Sequence, residues 1–489
     1  MSESAPSKVT APPQTKKRQL GVLLLSGVVI GSMIGGGAFN LPQNMAAGAG
    51  LAAVAIAWIV TLFGMFFLSN TFRILADKRP DLTAGIYTYA REGFGRFAGF
   101  MMAWGYWLSA AFGNVAFAVL IMQILSYFFP VFGKGDNIPS LIGGSVLIWL
   151  MCFIVMAGVR RAASLNVLAS ALNISAIGGA LVAMAIFAKA GHFSIDVWGQ
   201  QAQLGSVLTQ VKSTMLVTLW VFIGIEGAVV VSDRARDQRD VGKATFLGLA
   251  VCTVLYALLS ILPFGLMTQP ELAGLANPSS AYLLQSAVGP WGAIFINISL
   301  LIAVLSCWLA WTILVAELPM IGAKDGVFPR FLSKENRHHA AAPSLWISSA
   351  VMQVMMFVVL FAHDAWIWLI SITGVMVLPP YLASAAYLWK FSAQKSYCPS
   401  AGETRGQALI TGIMGAAYAA WLLYAAGPKY LLMSTVMFVV GVPMYWWAQR
   451  EKDENGQVFT HGELITVVLL GIAAATAIAL FATGVVSFV

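Results

Sequence analysis

Long apolar runs, one after another, constrain this chain more than anything else in it. About thirteen of them are each long enough to cross a bilayer as a helix. They lie at roughly 20–46, 48–72, 96–127, 139–158, 164–188, 213–233, 244–266, 289–318, 344–362, 365–390, 408–427, 430–447 and 463–487. Hydrocarbon offers backbone N–H and C=O groups no partner, so only helices or a closed barrel can span it. Runs of this length without period-two alternation choose helices. With 59% hydrophobic and 10% charged residues over 489 positions, the expected fold is an all-α polytopic membrane protein.

The polar links set the expected orientation. Residues 1–19 hold Pro6, Pro12, Pro13, Lys16, Lys17 and Arg18 but no short apolar core with a cleavage site. They read as a disordered cytoplasmic tail, not a signal peptide. With that tail inside, only Lys134, Lys189, Lys212 and Lys429 of the 28 Lys and Arg fall on the outer side, which is the positive-inside pattern. An odd number of runs then places the C-terminus outside. The expected location is multi-pass in a plasma membrane of the bacterial inner-membrane type.

Several function classes drop out. The net charge of +8 is spread over short loops, so no nucleic-acid partner is expected. Cys152, Cys252 and Cys307 lie in apolar runs and Cys398 in a loop, which argues against a disulfide framework. The five histidines form no metal-ligand pattern, and His338 and His339 read as solvated. No cofactor and no metal are expected. A nucleophile–His–acid set and a phosphate-cradling loop are both missing, which excludes an enzyme or an ATP-driven pump.

Inside the first run stands Gly31-Ser32-Met33-Ile34-Gly35-Gly36-Gly37. Each glycine weakens a helix by roughly 1 kcal/mol relative to Ala. Gly31 and Gly35 fit a close helix-packing face; alternatively the helix opens here. The sixth run decides between them. In Trp220–Ala228 the glycines Gly224 and Gly227 bracket Glu226, the only acid deep in an apolar run. Two interrupted runs five spans apart enter the membrane from opposite sides. Paired broken helices in inverted halves point to a secondary transporter with a midplane site. The halves are expected at 20–190 and 212–392, with three further helices at 408–489 outside the repeat.

An opened helix offers its backbone. N–H groups near Gly36 and Gly37, at the start of a half-helix, suit a carboxylate. Carbonyls near Met33, Trp220 and Ile223 suit an ammonium. Together they fit the α-groups of an amino acid without a charged side chain. Glu226 reads as functional, because an intramembrane acid is costly. Glu317 lies nearer a span end and reads as packing. Trp220 and Trp311 stand out among the tryptophans by their position.

GSMIGGGAFNLP (31–42), YWLSAAFGN (106–114), TLWVFIGIEGA (218–228), WTILVAELPMIGAKDGVFP (311–329) and PPYL (379–382) resemble the basic amino acid/polyamine antiporters of the amino acid–polyamine–organocation superfamily. The likeness spans about 18–392 and is greatest to arginine/ornithine antiporters. It implies a leucine-transporter-type fold of two inverted five-helix repeats and alternating access. It further implies that the substrate carboxylate meets Gly36 and Gly37, and the ammonium meets carbonyls of Met33, Trp220 and Ile223. The side-chain pocket carries over to Ser109, Ala110, Asn114, Trp311 and Thr373, with Ser32 beside the first break. Trp220 closes from outside; Tyr106, Glu226 and Tyr381 form a barrier on the cytoplasmic side. Ser32, Gly36 and Ala110 stand where the arginine/agmatine pattern has Asn, Ser and Cys.

Proton-coupled members place a Lys in the fifth run, and here 164–188 contains none. The expectation is therefore obligatory exchange of cationic amino acids, arginine for ornithine. The alternatives are a proton-coupled importer, or exchange of an amino acid for its decarboxylated amine, such as arginine for agmatine or lysine for cadaverine. Apart from that substrate, membrane lipid is the expected partner; no feature marks an oligomeric state.

Overall fold

The computed structural model describes residues 22, 26, 27, 30, 33–82, 86–158, 162–225, 238–362, 364–395, 397–399, 403–452 and 457–486. Every regular element among them is helical. In chain order the α-helices are α1 (Leu41–Ala46), α2 (Leu51–Lys78), α3 (Tyr87–Phe94), α4 (Arg96–Ser126), α5 (Ile138–Met156), α6 (Ala162–Phe187), α7 (Val207–Trp220) and α8 (Gln238–Ile261). They continue with α9 (Gln269–Ala273), α10 (Ser279–Val288), α11 (Pro290–Lys324), α12 (Ala342–Val359), α13 (Ala365–Ala393), α14 (Arg405–Arg450) and α15 (His461–Ala482).

Among the described residues, nine helices are long and apolar enough to cross a membrane. One of them, α14, bends at Gly427, whose φ of 77° leaves the helical region just before Pro428; it forms two spans, 405–426 and 428–450. With α6 and the described parts of the two interrupted runs, helical structure falls within each run read from the sequence. Helix α4 is the central post: 94% of its most apolar window is buried inside the protein, against 11% for the peripheral α15. Helices α11 and α13 pack along α4, and α2 contacts α7, α8 and α14.

The structure extends several expected boundaries. Helix α11 runs on to Lys324 through Pro319. A proline releases the carbonyl four residues earlier, and at Pro319 that is Val315. Ser348 of α12 donates to the Val315 carbonyl at 3.2 Å, and Ser344 donates to Ala316 at 2.6 Å. The neighbouring helix thus supplies the partner the ring removes, as a low-dielectric setting requires. Helices α3, α9 and α10 fall between the apolar runs and were not expected. Helix α3 lies across the ends of α11 and α13. There the Tyr87 hydroxyl donates to Asp325 at 3.0 Å, Arg91 pairs with Asp325 at 3.6 Å, and Lys390 donates to the Gly93 carbonyl at 2.7 Å. Nearby, Arg79 beside Asp81 at 2.8 Å holds that carboxyl below the usual carboxylate range.

Candidate functional site

The first run is not one helix. Helical structure ends at Met33, Ile34 and Gly35 are non-helical, and a 3-10 turn over Gly36–Asn40 leads into α1. Gly35, at the cap of that turn, is extended (φ −107°, ψ −173°) and has no side chain to cap it. The first N–H groups of any helix lack intrahelical partners, which here leaves those of Gly36 and Gly37 at the turn's start. The sixth run breaks as well. Helix α7 ends at Trp220, residues 221–225 form a turn, and Gly224 takes φ 104°, where an L side chain is strained.

The two breaks meet. A Cβ on Gly37 would lie 2.4 Å from Trp220 Nε1, so only glycine lets the indole lie against the first break. Between them is a cavity enclosing about 520 Å³ of atom-free space, its opening included. The first break contributes Met33, Gly35, Gly36, Gly37 and Ala38; the second contributes Trp220, Val221 and Ile223. Helix α4 supplies Ser109, Ala110, Gly113 and Phe117, α11 supplies Cys307 and Trp311, and α13 supplies Thr373. None of these described lining residues carries a charged side chain. The Trp220 ring is held by Phe117 (centroids 6.1 Å apart) and Trp366 (5.9 Å).

The chain matches a family profile described as amino acid permease over residues 20–470. It is 51% identical over 474 residues to a protein of Chlamydia felis named arginine/agmatine antiporter, covering 96% of this chain and 97% of that one. It is 50% identical over 474 residues to the Chlamydia pneumoniae protein of the same name, covering 96% and 98%. A Chlamydia trachomatis serovar L2 protein, again so named, is 47% identical over 465 residues, covering 94% and 96%. The chain belongs to the amino acid permease family. It is a multi-pass membrane transporter and not an enzyme.

Within this permease the structure gathers nine of the expected site residues around one cavity: Met33, Gly36, Gly37, Ser109, Ala110, Trp220, Ile223, Trp311 and Thr373. Asn114 stands just beyond the lining, fully buried, with no partner for either amide atom among the described residues. Tyr106, one helical turn before Ser109, and Tyr381, eight residues beyond Thr373, are buried and do not line the cavity. The ring of Tyr381 packs edge-on to Phe72 at 5.2 Å. Ser32 and Glu226 lie outside the described residues, as do Gly31 and Gly227.

Geometry alters several expected roles. The Met33 carbonyl already accepts from Gly35 N–H at 2.9 Å and from the Tyr256 hydroxyl at 2.8 Å, so both of its lone pairs are engaged. The next carbonyl, Ile34, accepts from Asn173 Nδ2 of α6 at 3.1 Å. Gly36 is small because of packing, since a Cβ there would meet Leu120 and Val304 at 2.7 Å, while the residue still lines the cavity. The Ser109 hydroxyl donates to the Thr373 carbonyl at 2.9 Å and ties α4 to α13. The Thr373 hydroxyl itself has no partner among the described residues and faces a site it can serve as donor or acceptor. Tyr256 and Asn173 went unread in the sequence, as did the cavity wall formed by Gly113, Phe117 and Cys307.

Proposed function

We propose that this permease exchanges a cationic amino acid for its decarboxylated amine, arginine against agmatine, by alternating access. The observation that carries the reading is the cavity between two adjacent helix breaks, lined by peptide groups. The names of the relatives favour agmatine over ornithine as the returning substrate. In this reading the N–H groups of Gly36 and Gly37 meet the carboxylate, and carbonyls at Met33, Trp220 and Ile223 meet the ammonium. Trp311 lies along the guanidinium, a cation–π contact of roughly 0.5–2 kcal/mol, with Ser109, Ala110, Thr373, Asn114 and Ser32 shaping the remainder. Tyr106, Glu226 and Tyr381 bar the path on the cytoplasmic side, and Trp220 closes the other. The moving units are two inverted blocks, 20–190 and 212–392, with the N-terminus cytoplasmic.

Exchange without proton coupling is supported by the side chain that reaches the first break from the fifth span. It is Asn173, a neutral amide, and no lysine occurs in that helix. Proteoliposomes separate the readings. Arginine carries one positive charge and agmatine two near neutral pH, so their exchange moves one net charge. An arginine/ornithine exchange moves none. Vesicles loaded with agmatine should take up labelled arginine, faster when the interior is held positive by a potassium diffusion potential; empty vesicles should not. Uptake into empty vesicles driven by a proton gradient would overturn the proposal. Uptake with internal ornithine only, insensitive to potential, would replace agmatine by ornithine.

A further inference from the structure

Tyr256 lies on α8, outside the cavity lining, with no exposed surface. Its hydroxyl donates to the Met33 carbonyl in the first break at 2.8 Å. Its ring packs edge-on against Phe222, within the turn of the second break, at 5.5 Å, and against Trp58 at 6.1 Å. Trp58 and Phe222 in turn lie 6.4 Å apart. One side chain therefore touches both interrupted spans, bonding to one and packing on the other.

The Met33 carbonyl has two lone pairs, and Gly35 N–H and Tyr256 occupy both. Resting on the reading that this carbonyl receives the substrate ammonium, we infer that Tyr256 is a positioning residue that holds the Met33 carbonyl in the empty carrier and yields it to the substrate's α-amino group. The exchange is favourable in direction. An ammonium donor is charged, and its hydrogen bond is roughly twice as strong as that of a neutral hydroxyl. The displaced hydroxyl has another partner within reach, the Cys252 thiol one turn earlier on α8. Without Tyr256, the empty carrier would leave a buried acceptor short of a bond, which destabilises that state relative to the loaded one. As the hydroxyl leaves, the ring's contact with Phe222 transmits the event to the second break.

The test is a ligand-resolved affinity comparison on the full-length carrier, using Tyr256→Phe. Removing the competing hydroxyl should tighten arginine binding about 3- to 10-fold and slow maximal exchange. Binding of 5-guanidinopentanoate, which is arginine without its α-amino group, should not change. Tyr256→3-fluorotyrosine, whose hydroxyl is the stronger donor, should shift arginine affinity the opposite way, and it serves if the phenylalanine variant does not fold. Equal shifts for both ligands, no shift, or weaker arginine binding in Tyr256→Phe would overturn the inference. Failure of the wild-type carrier to bind arginine at all would instead overturn the functional reading on which it rests.

Discussion

The two helix breaks facing one cavity are held open by different means. The first relies on the surrounding bundle: Tyr256 of α8 bonds the Met33 carbonyl, and Asn173 of α6 bonds the Ile34 carbonyl. The second is closed largely by its own backbone. There Phe222 N–H donates to Leu219, Ile223 N–H to Trp220, and Ile225 N–H to Phe222, with Gly224 supplying the left-handed turn. A buried carbonyl cannot stay unpaired in hydrocarbon, and the chain meets that demand once with distant side chains and once with local turns. Among the described residues, the first break is thus hydrogen-bonded to two scaffold helices, whereas the second is hydrogen-bonded within its own backbone and meets α8 only through ring packing.

Substitutions can break or sharpen this contrast. The largest effect is expected where the breaks touch. Gly37→Ala puts a methyl group 2.4 Å from Trp220 Nε1, and overpacking of this kind costs about 1–3 kcal/mol. Arginine exchange should fall by roughly a hundredfold as the indole is pushed from its seat between Phe117 and Trp366; near-normal uptake would mean the breaks are not in mutual contact. Next comes Asn173→Leu, which leaves the Ile34 carbonyl without its partner. A loss of about 1–3 kcal/mol in stability is expected, read as a lower thermal midpoint in detergent, with exchange reduced about tenfold. An unchanged midpoint would show that the first break does not depend on the scaffold.

Gly224→Ala tests the second break. Its φ of 104° strains any L side chain by roughly 1–2 kcal/mol, so a several-fold slower exchange is expected. Suppressor substitutions should map to 219–225 and not to α6. The smallest effect belongs to Gly35→Ala. Gly35 has extended backbone angles, and its nearest neighbour to a new methyl is Cys307 Sγ at 4.0 Å. Transport within about twofold of wild type is expected. A severe loss would mean that this peptide moves into left-handed geometry during the cycle.

Much of this was legible in the sequence for a physical reason. Clustered glycines inside an apolar run are expensive unless the backbone is put to use, so both breaks announce themselves. Trp220 and Trp311 follow from their positions beside them. The partners of the breaks were illegible. Tyr256 is 223 residues from Met33, and Asn173 is 139 from Ile34; each reads as an ordinary member of its span. Ser109 reads as a pocket residue and lines the cavity, but nothing local shows that its hydroxyl donates to the Thr373 carbonyl. Helices α3, α9 and α10 were missed because short segments between spans carry no long hydropathy signal. Gly427 marked an end correctly, yet the chain resumes helix at once, since Pro428 suits a first helical turn.

A wall built of peptide dipoles, indoles and small side chains has almost nothing to protonate. Among the described residues around the cavity, the Cys307 thiol is the only ionisable group. None of the described lining residues is an Asp, Glu, His, Lys or Arg. These described walls thus offer acid no carboxylate or imidazole to titrate, and an acid response of transport is expected to originate in groups beyond them.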